Sequence, residues 1–266
     1  MNGPRPPLFD AHLHVIDPRF PLVPNGGYLP PAFTVADYQA RTAQLDVVGG
    51  AVVSGSFQAF DQTYLLAALA ELGPGFVGVT QLPASVPDEQ VVALAQAGVR
   101  AVRFNVRRGG SETLEHLDRL ARRVHDLAGW HTELYVDSVD LPDLLPVLTR
   151  LPRVSVDHLG LSRAGLPHLL SLVEHGAHVK ATGFSRSDLD VPAALRAVAA
   201  ANPAALVAGT DLPSTRAPRP FHDHDLDLVL EALGPDLADA AFHRNALTLY
   251  QPPSRSVDAQ GQGRRT

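Results

Sequence analysis

The chain contains no cysteine. Disulfides, thiolate nucleophiles and thiolate metal ligands are therefore excluded from its chemistry. It also lacks an excess of positive charge: 22 Lys and Arg against 28 Asp and Glu give a formal charge of -6. With no basic stripe in the sequence, that balance argues against a general nucleic-acid or anionic-membrane binder. Nowhere do about 18 uncharged apolar residues run together, so no transmembrane helix is expected. The opening MNGPRPPLFDAHLHV lacks the charged and apolar stretches of a secretory signal, which makes a cytoplasmic protein the expectation. What is present is globular: 45% hydrophobic and 19% charged over 266 residues, enough to bury a sizeable core in one large α/β domain or two small ones.

Short β-branched runs alternate with longer helical patterns from end to end. Strands are expected at 8–15, 47–56, 76–82, 99–106, 131–137, 153–160, 178–184 and 205–213. Helices are expected between them at 34–45, 61–72, 87–97, 111–128, 141–150, 166–174, 191–201 and 223–233, with 236–249 closing the domain. Each strand is followed by its own helix and no composition break marks a second domain, so a single (β/α)8 TIM barrel fits better than a doubly wound sheet. The barrel should span 8–250, with a flexible N-terminus at 1–7 and a disordered tail at 251–266, where no apolar period remains.

In a barrel, polar residues at the C-terminal ends of strands converge on one mouth. The first strand reads Asp10-Ala11-His12-Leu13-His14, and strict alternation would put Asp10, His12 and His14 on one face. The fourth strand offers Arg103 and Asn105, the fifth Tyr135, the sixth His158 and the eighth Asp211. Three neutral imidazoles and a carboxylate can hold a divalent cation that ionises water. They can equally polarise a carbonyl directly while Asp211 takes a proton from water. Blander roles exist for several of these residues: His158 as a satisfied core histidine, Asp211 as a loop cap, and Arg103 as a structural ion-pair member, as Asp157 beside His158 could also be. His222, Asp223 and His224 imitate a metal cluster, but they fall at a helix start after a Pro-rich loop and are expected to be solvated or capping.

With Asp-Ala-His-Leu-His at the start, Val-Asp-His-Leu-Gly in the sixth strand and Gly-Thr-Asp-Leu-Pro in the eighth, the chain resembles the amidohydrolase superfamily. More narrowly, it resembles the branch containing 2-pyrone-4,6-dicarboxylate lactonase and related sugar lactonases. The resemblance covers nearly the whole domain and includes the stretches around Ser56, Arg103, Arg186 and Asn245. It implies that His12, His14 and His158 surround a scissile carbonyl, that Asp211 is general base and then acid, and that Ser56, Arg103, Tyr135 and Arg186 hold substrate. Where relatives usually carry Asp-Trp-Pro-His-Pro-Asn, this chain has Asp211-Leu-Pro-Ser-Thr-Arg216, which puts a cation in place of an amide. Arg216, with Arg107 or Arg108, would add positive charge to the mouth.

The expected activity is thus hydrolysis of a small carboxylated lactone, with no nucleic-acid or membrane partner. No cofactor is expected to be required. If one divalent metal (Zn or Mn) is bound, His12, His14, His158 and Asp211 are its ligands. Arg103 stands where binuclear relatives require a bridging carboxylate or carboxylated lysine, which argues against two metals. The alternatives are a mononuclear metal-dependent decarboxylase of the same superfamily and a barrel that only binds a carboxylate. Neither the particular lactone nor the oligomeric state is legible in the sequence.

Overall fold

The computed structural model describes residues 5–252. Eight strands, β1 (Leu8–Leu13), β2 (Val47–Val53), β3 (Phe76–Thr80), β4 (Val99–Phe104), β5 (His131–Leu134), β6 (Val154–Val156), β7 (His178–Ala181) and β8 (Leu206–Ala208), form one sheet in that order. Every neighbouring pair is parallel. Helices α1 (Val35–Thr42), α2 (Thr63–Leu72), α3 (Asp88–Gln96), α4 (Leu117–Ala128), α5 (Leu141–Leu148), α6 (Leu166–Glu174) and α7 (Val191–Ala201) fill the seven crossovers, and α8 (His224–Leu233), α9 (Pro235–Asp239) and α10 (Asn245–Tyr250) follow the last strand. The molecule is a (β/α)8 barrel, as the alternation of patterns predicts. Among the described residues no helix is long and apolar enough to cross a membrane.

Local chemistry sets the element ends. Thr34 and Asp37 form a capping box at the start of α1, Asp190 accepts from the Ala193 amide to open α7, and Gly129 closes α4 in the left-handed region. The helix expected from 111 begins only at Leu117, because Ser111 and Glu112 spend their side chains on the Asn105 and Ala84 amides instead of on a helical turn. From the expected tail, only Gln251 and Pro252 are described; the rest lies outside the described residues, as do 1–4. Arg5 is tied to Asp227 of α8 at 2.7 Å.

All eight expected strands form, but those carrying chemistry are shorter than their apolar pattern. The sixth narrows to Val154–Val156 and the eighth to Leu206–Ala208. The cause is backbone conformation: His158 (φ 52), Leu159 (φ 53) and Asp211 (φ 61) turn into the left-handed region, which no strand can accommodate. The barrel then closes across these same residues. The Asp211 amide donates to the His12 carbonyl at 2.8 Å and the His14 amide to the Leu212 carbonyl at 2.8 Å.

The simple alternation expected on the first strand is not what forms. Between Asp10 and Leu13, β1 advances three residues while β2 advances only two, from Gly50 to Val52, so β1 carries a bulge. The bulge sends Asp10 towards the helix layer, away from His12 and His14. There its carboxylate accepts from Tyr38 Oη of α1 (3.0 Å) and from the amide and hydroxyl of Thr210 (2.8 and 2.7 Å). Asp10 is thus a clamp between β1 and the end of β8. Among the described residues no cation pairs with it, and burial pushes its pKa up to about 6 against the donors that pull it down.

The barrel interior is divided. Phe9, Ala11, Ala51, Val53, Val77, Val79, Ala101 and Val207 make an apolar side, which Ala246, Leu249 and Tyr250 of α10 plug from the end opposite the mouth. The inward positions of β5 to β7 carry His131, Glu133, Ser155 and Lys180 instead, all buried. The Tyr250 ring stacks on Phe9, and its hydroxyl lies 2.7 Å from Glu133 Oε1 and 3.1 Å from the Ala11 carbonyl oxygen. Tyr250→Phe removes a donor from a buried carboxylate and should cost about 1–3 kcal/mol. Urea unfolding should show a lower midpoint at unchanged slope. An unchanged midpoint would mean that Glu133 is satisfied without the phenol.

Candidate active site

Four side chains expected to act together do converge at the mouth. His12 and His14 leave the bulged end of β1 with their Nε2 atoms 3.3 Å apart. Asp211 Oδ1 lies 3.9 Å from His12 Nε2 and 3.9 Å from His158 Nε2. The rings of His12 and His158 are 4.8 Å apart. The second carboxylate oxygen of Asp211 accepts from Arg186 Nε at 2.7 Å, whereas Oδ1 is buried with no hydrogen-bond partner. A buried carboxylate oxygen without a donor, facing two ring nitrogens across about 4 Å, is the feature that asks for a water or an ion.

Each imidazole is fixed at its far nitrogen. His14 Nδ1 donates to the Val53 carbonyl at 2.7 Å, which leaves the lone pair on Nε2, and His158 Nδ1 meets the Thr182 hydroxyl at 2.8 Å. Burial, reinforced by Arg103, pushes the His14 pKa down to about 3. Burial likewise holds His12 and His158 well below the ordinary imidazole range, with Lys180 and Arg186 respectively adding to the effect. All three rings are therefore neutral at pH 7. Burial raises the Asp211 pKa above its ordinary value, and Arg186 opposes that rise. Gly183 (φ +57) is required here: a Cβ would stand 2.7 Å from His158 Nδ1 and 2.9 Å from Asp211 Oδ2.

The spacing of this donor set suits one divalent ion, whose ligation by His12 would require that ring's Nε2 to carry a lone pair. Ligand atoms of His12, His158 and Asp211 lie within 4.8 Å of one another, and His14 Nε2 faces the same centre. The anchoring of His14 on a backbone carbonyl is the outer contact that metal-bound imidazoles make. A second ion has no carboxylate to bridge to on β4, because Arg103 occupies that position and is itself engaged.

Arg103 donates from Nε and Nη2 to Asp157 Oδ2 (3.2 and 2.6 Å) and from Nη1 to the Ser54 carbonyl (2.8 Å). Arg103 and Asp157, each considered as an ion-pair member, are paired with one another. Burial alone would raise Asp157, but Arg103 and Lys180 outweigh that and hold its pKa well below the carboxylate range.

Above the imidazoles lies a narrow, partly open cavity with a volume of about 30 Å³. All five residues expected to hold substrate line it: Ser56, Arg103, Tyr135, Arg186 and Arg216, together with Arg108. Arg216 has a further engagement. It donates to Asn25 Oδ1 at 2.9 Å and to the Asn25 carbonyl, and it stacks 4.3 Å above the Tyr28 ring, latching the loop after β1 over the mouth. By contrast, the guanidinium groups of Arg107 and Arg108 meet no hydrogen-bond or ion-pair partner among the described residues. His222 and His224 lie exposed at the start of α8, outside the site, as expected for solvated or capping residues.

Sequence reasoning missed the layer beneath the imidazoles. Lys180 is fully buried, with Nζ 2.6 Å from Glu133 Oε2, 3.2 Å from His12 Nδ1 and 3.5 Å from Asp157 Oδ1. A signal existed, because alternate positions of β5 to β7 read His131/Glu133, Ser155/Asp157 and His178/Lys180. That polar period faces a barrel interior, where apolar residues are the rule.

Comparison with known proteins agrees with the fold. The profile of the family described as amidohydrolase matches residues 9–251. A 2-pyrone-4,6-dicarboxylate hydrolase of Comamonas testosteroni is 36% identical over 156 residues, 57% of this chain and 51% of that protein, so the chain matches about half the length of this relative. A D-galactarolactone isomerase of Agrobacterium fabrum is 30% identical over 256 residues, 88% of this chain and 86% of that protein. The crystal structure of an Agrobacterium tumefaciens protein without ligand superposes with a TM-score of 0.83 at 27% identity, covering 93% of this chain and 96% of that one. With the profile spanning the barrel from β1 to the residue after α10, the chain belongs to the amidohydrolase family.

Proposed function

We propose that the protein is an enzyme that opens a carboxylated lactone by adding water to its carbonyl. The observation that carries this is the charge of the cavity wall: Arg103, Arg108, Arg186 and Arg216 line it, and no Asp or Glu does. Arg103 and Arg186 already pair with Asp157 and Asp211, whereas Arg108 and Arg216 have no carboxylate partner among the described residues, and a substrate carboxylate would pair with them through parallel hydrogen bonds. Support also comes from the two relatives, both named for action on lactones or pyrones that carry carboxylates.

Chemically, the unpartnered Asp211 Oδ1 takes a proton from water. The water oxygen bonds to the carbonyl carbon, the ring C–O bond breaks, and Asp211 returns the proton to the leaving oxygen. His12 and His158, where they carry the proton on Nε2, stabilise the negative charge that develops on the carbonyl oxygen, whereas His14 presents a lone pair on Nε2. Arg186 keeps the Asp211 carboxylate turned towards them by holding its other oxygen. A divalent ion held by His12, His14, His158 and Asp211 would supply Lewis acidity. A lactone carbonyl is reactive enough for the side chains alone.

The same centre can deliver the acyl group to a hydroxyl of the substrate, which would be lactone isomerisation. The Agrobacterium fabrum relative, aligned over 88% of the chain, favours keeping this second reading. Turnover in ¹⁸O-water distinguishes the two. Hydrolysis of 2-pyrone-4,6-dicarboxylate or a sugar-acid lactone places one ¹⁸O in the new carboxylate, whereas isomerisation gives an unlabelled lactone. Equal turnover of neutral lactones of the same size would overturn the substrate class.

Asp211→Asn should fold normally and lower kcat by about 10²-fold or more. Unchanged kcat on the true substrate would exclude Asp211 as the base. The carboxylate preference is best probed at Arg108, because Arg103→Met would strand the buried Asp157 and confound binding with stability. Arg108→Met should raise KM for an acidic lactone by about tenfold with little change in kcat, and leave a neutral analogue unaffected. Activity should also survive dialysis against a chelator. Loss restored by zinc or manganese would show that a metal is needed.

A further inference from the structure

We propose that Lys180 is a positioning residue: its ammonium, seated on Glu133, donates to His12 Nδ1 and thereby keeps the His12 proton on Nε2, the nitrogen that faces His14 and Asp211. His12 then offers a proton, shared between the His14 lone pair and an acyl oxygen bound beside it, and offers no Nε2 lone pair to a metal. The role of His12 as donor rests on the lactone chemistry proposed above; the proton position does not.

The argument follows the hydrogen bonds from one end to the other. His14 donates from Nδ1 to the Val53 carbonyl, so the Nε2 of this neutral ring carries a lone pair. His12 Nε2 stands 3.3 Å from that lone pair, and the contact is a hydrogen bond only if His12 Nε2 carries the proton. Its Nδ1 must then accept, and the donor within reach is Lys180 Nζ at 3.2 Å. Lysine can only donate, so it selects this tautomer. At its other side Nζ is held 2.6 Å from Glu133 Oε2, and Glu133 is fixed in turn by Tyr250 (2.7 Å) and His131 (3.1 Å).

The opposite tautomer has a partner waiting. Asp157 Oδ1 is buried without a hydrogen bond, 3.4 Å from His12 Nδ1. A proton on Nδ1 pointing at Asp157 would free the Nε2 lone pair for a metal, the arrangement that carboxylate-backed histidine ligands adopt. Lys180 and Asp157 therefore compete for one nitrogen, and the winner decides whether His12 offers a proton or a lone pair.

The first test is ¹⁵N NMR of the wild-type protein, with the His12 signals assigned by their loss in His12→Gln. The expected result is a protonated Nε2 and an unprotonated Nδ1; the reverse overturns the inference, whatever the substrate. The second uses Lys180→Met combined with Glu133→Gln, which removes the buried charges together so that neither is stranded. In this variant the His12 proton should move to Nδ1, and Zn(II) measured by calorimetry should bind at least about tenfold more tightly than to wild type, the scale on which such outer contacts act. An unmoved proton with unchanged zinc affinity would assign Lys180 a purely structural role. If the double variant fails to fold, the wild-type spectrum alone decides. A failed lactone assay with the expected tautomer would overturn the substrate reading and leave the proton position established.

Discussion

Charge pairing inside the barrel is the constraint on which the site depends. Three buried carboxylates inside the barrel each sit beside a cation: Glu133 with Lys180 (2.6 Å), Asp157 with Arg103 (2.6 Å) and Asp211 with Arg186 (2.7 Å). Dehydrating such ions costs several kcal/mol each, and pairing does little more than recover it, so these contacts are weak devices for stability. Their effect is on geometry and protonation. With the carboxylates already compensated, the pull of Asp157 towards charging the imidazoles is outweighed by burial, which keeps them neutral. Asp10 shows the contrast: without a cation it is raised to about 6, although Tyr38, Thr210 and His12 all donate to it.

Backbone strain supplies the second half of the arrangement. His158 and Asp211 both adopt left-handed conformations, which cost non-glycine residues of order 1–3 kcal/mol each. A continued strand would have pointed successive side chains alternately into the barrel and into the helix layer. Leaving the sheet early turns both side chains over the mouth instead. The strain is held by the closure bonds between Asp211 and His12 and between His14 and Leu212, so folding the barrel and assembling the site are one event. Gly183 completes the fit by leaving the space that His158 and Asp211 share.

Most of the architecture was legible because helix and strand periods differ and each strand is paid out with its own crossover helix. The boundaries of α6 and α7 follow directly from apolar spacing between a proline near the N-terminus and a polar or glycine stop. Less legible was anything that breaks a period. The bulge in β1 inserts a residue without a sequence mark, so Asp10 reads as a neighbour of His12 although it faces Tyr38. Likewise Lys180 and Glu133 alternate correctly within their strands, but a buried Lys–Glu pair 47 residues apart declares itself only once the strands are neighbours of neighbours. Arg216 reads as one more cation at the mouth, and only the folded loop reveals its hold on Asn25 and Tyr28.

A net charge of -6 and a cavity walled by arginines are compatible because the two act over different ranges. At physiological ionic strength exposed charges are screened beyond about 8 Å, so an anion approaching the barrel feels the general acidity only weakly. Within the mouth, partly dehydrated guanidinium groups act at contact distance, where screening is slight and the fork geometry is selective. Arg103 and Arg186 are held by buried carboxylates and present their remaining surface to the cavity without further ordering, whereas Arg108 has no such partner and must be ordered by the ligand. The wall is thus preorganised at its base and adaptable at its rim. A small anion would be oriented at the imidazoles first and clamped at the entrance second.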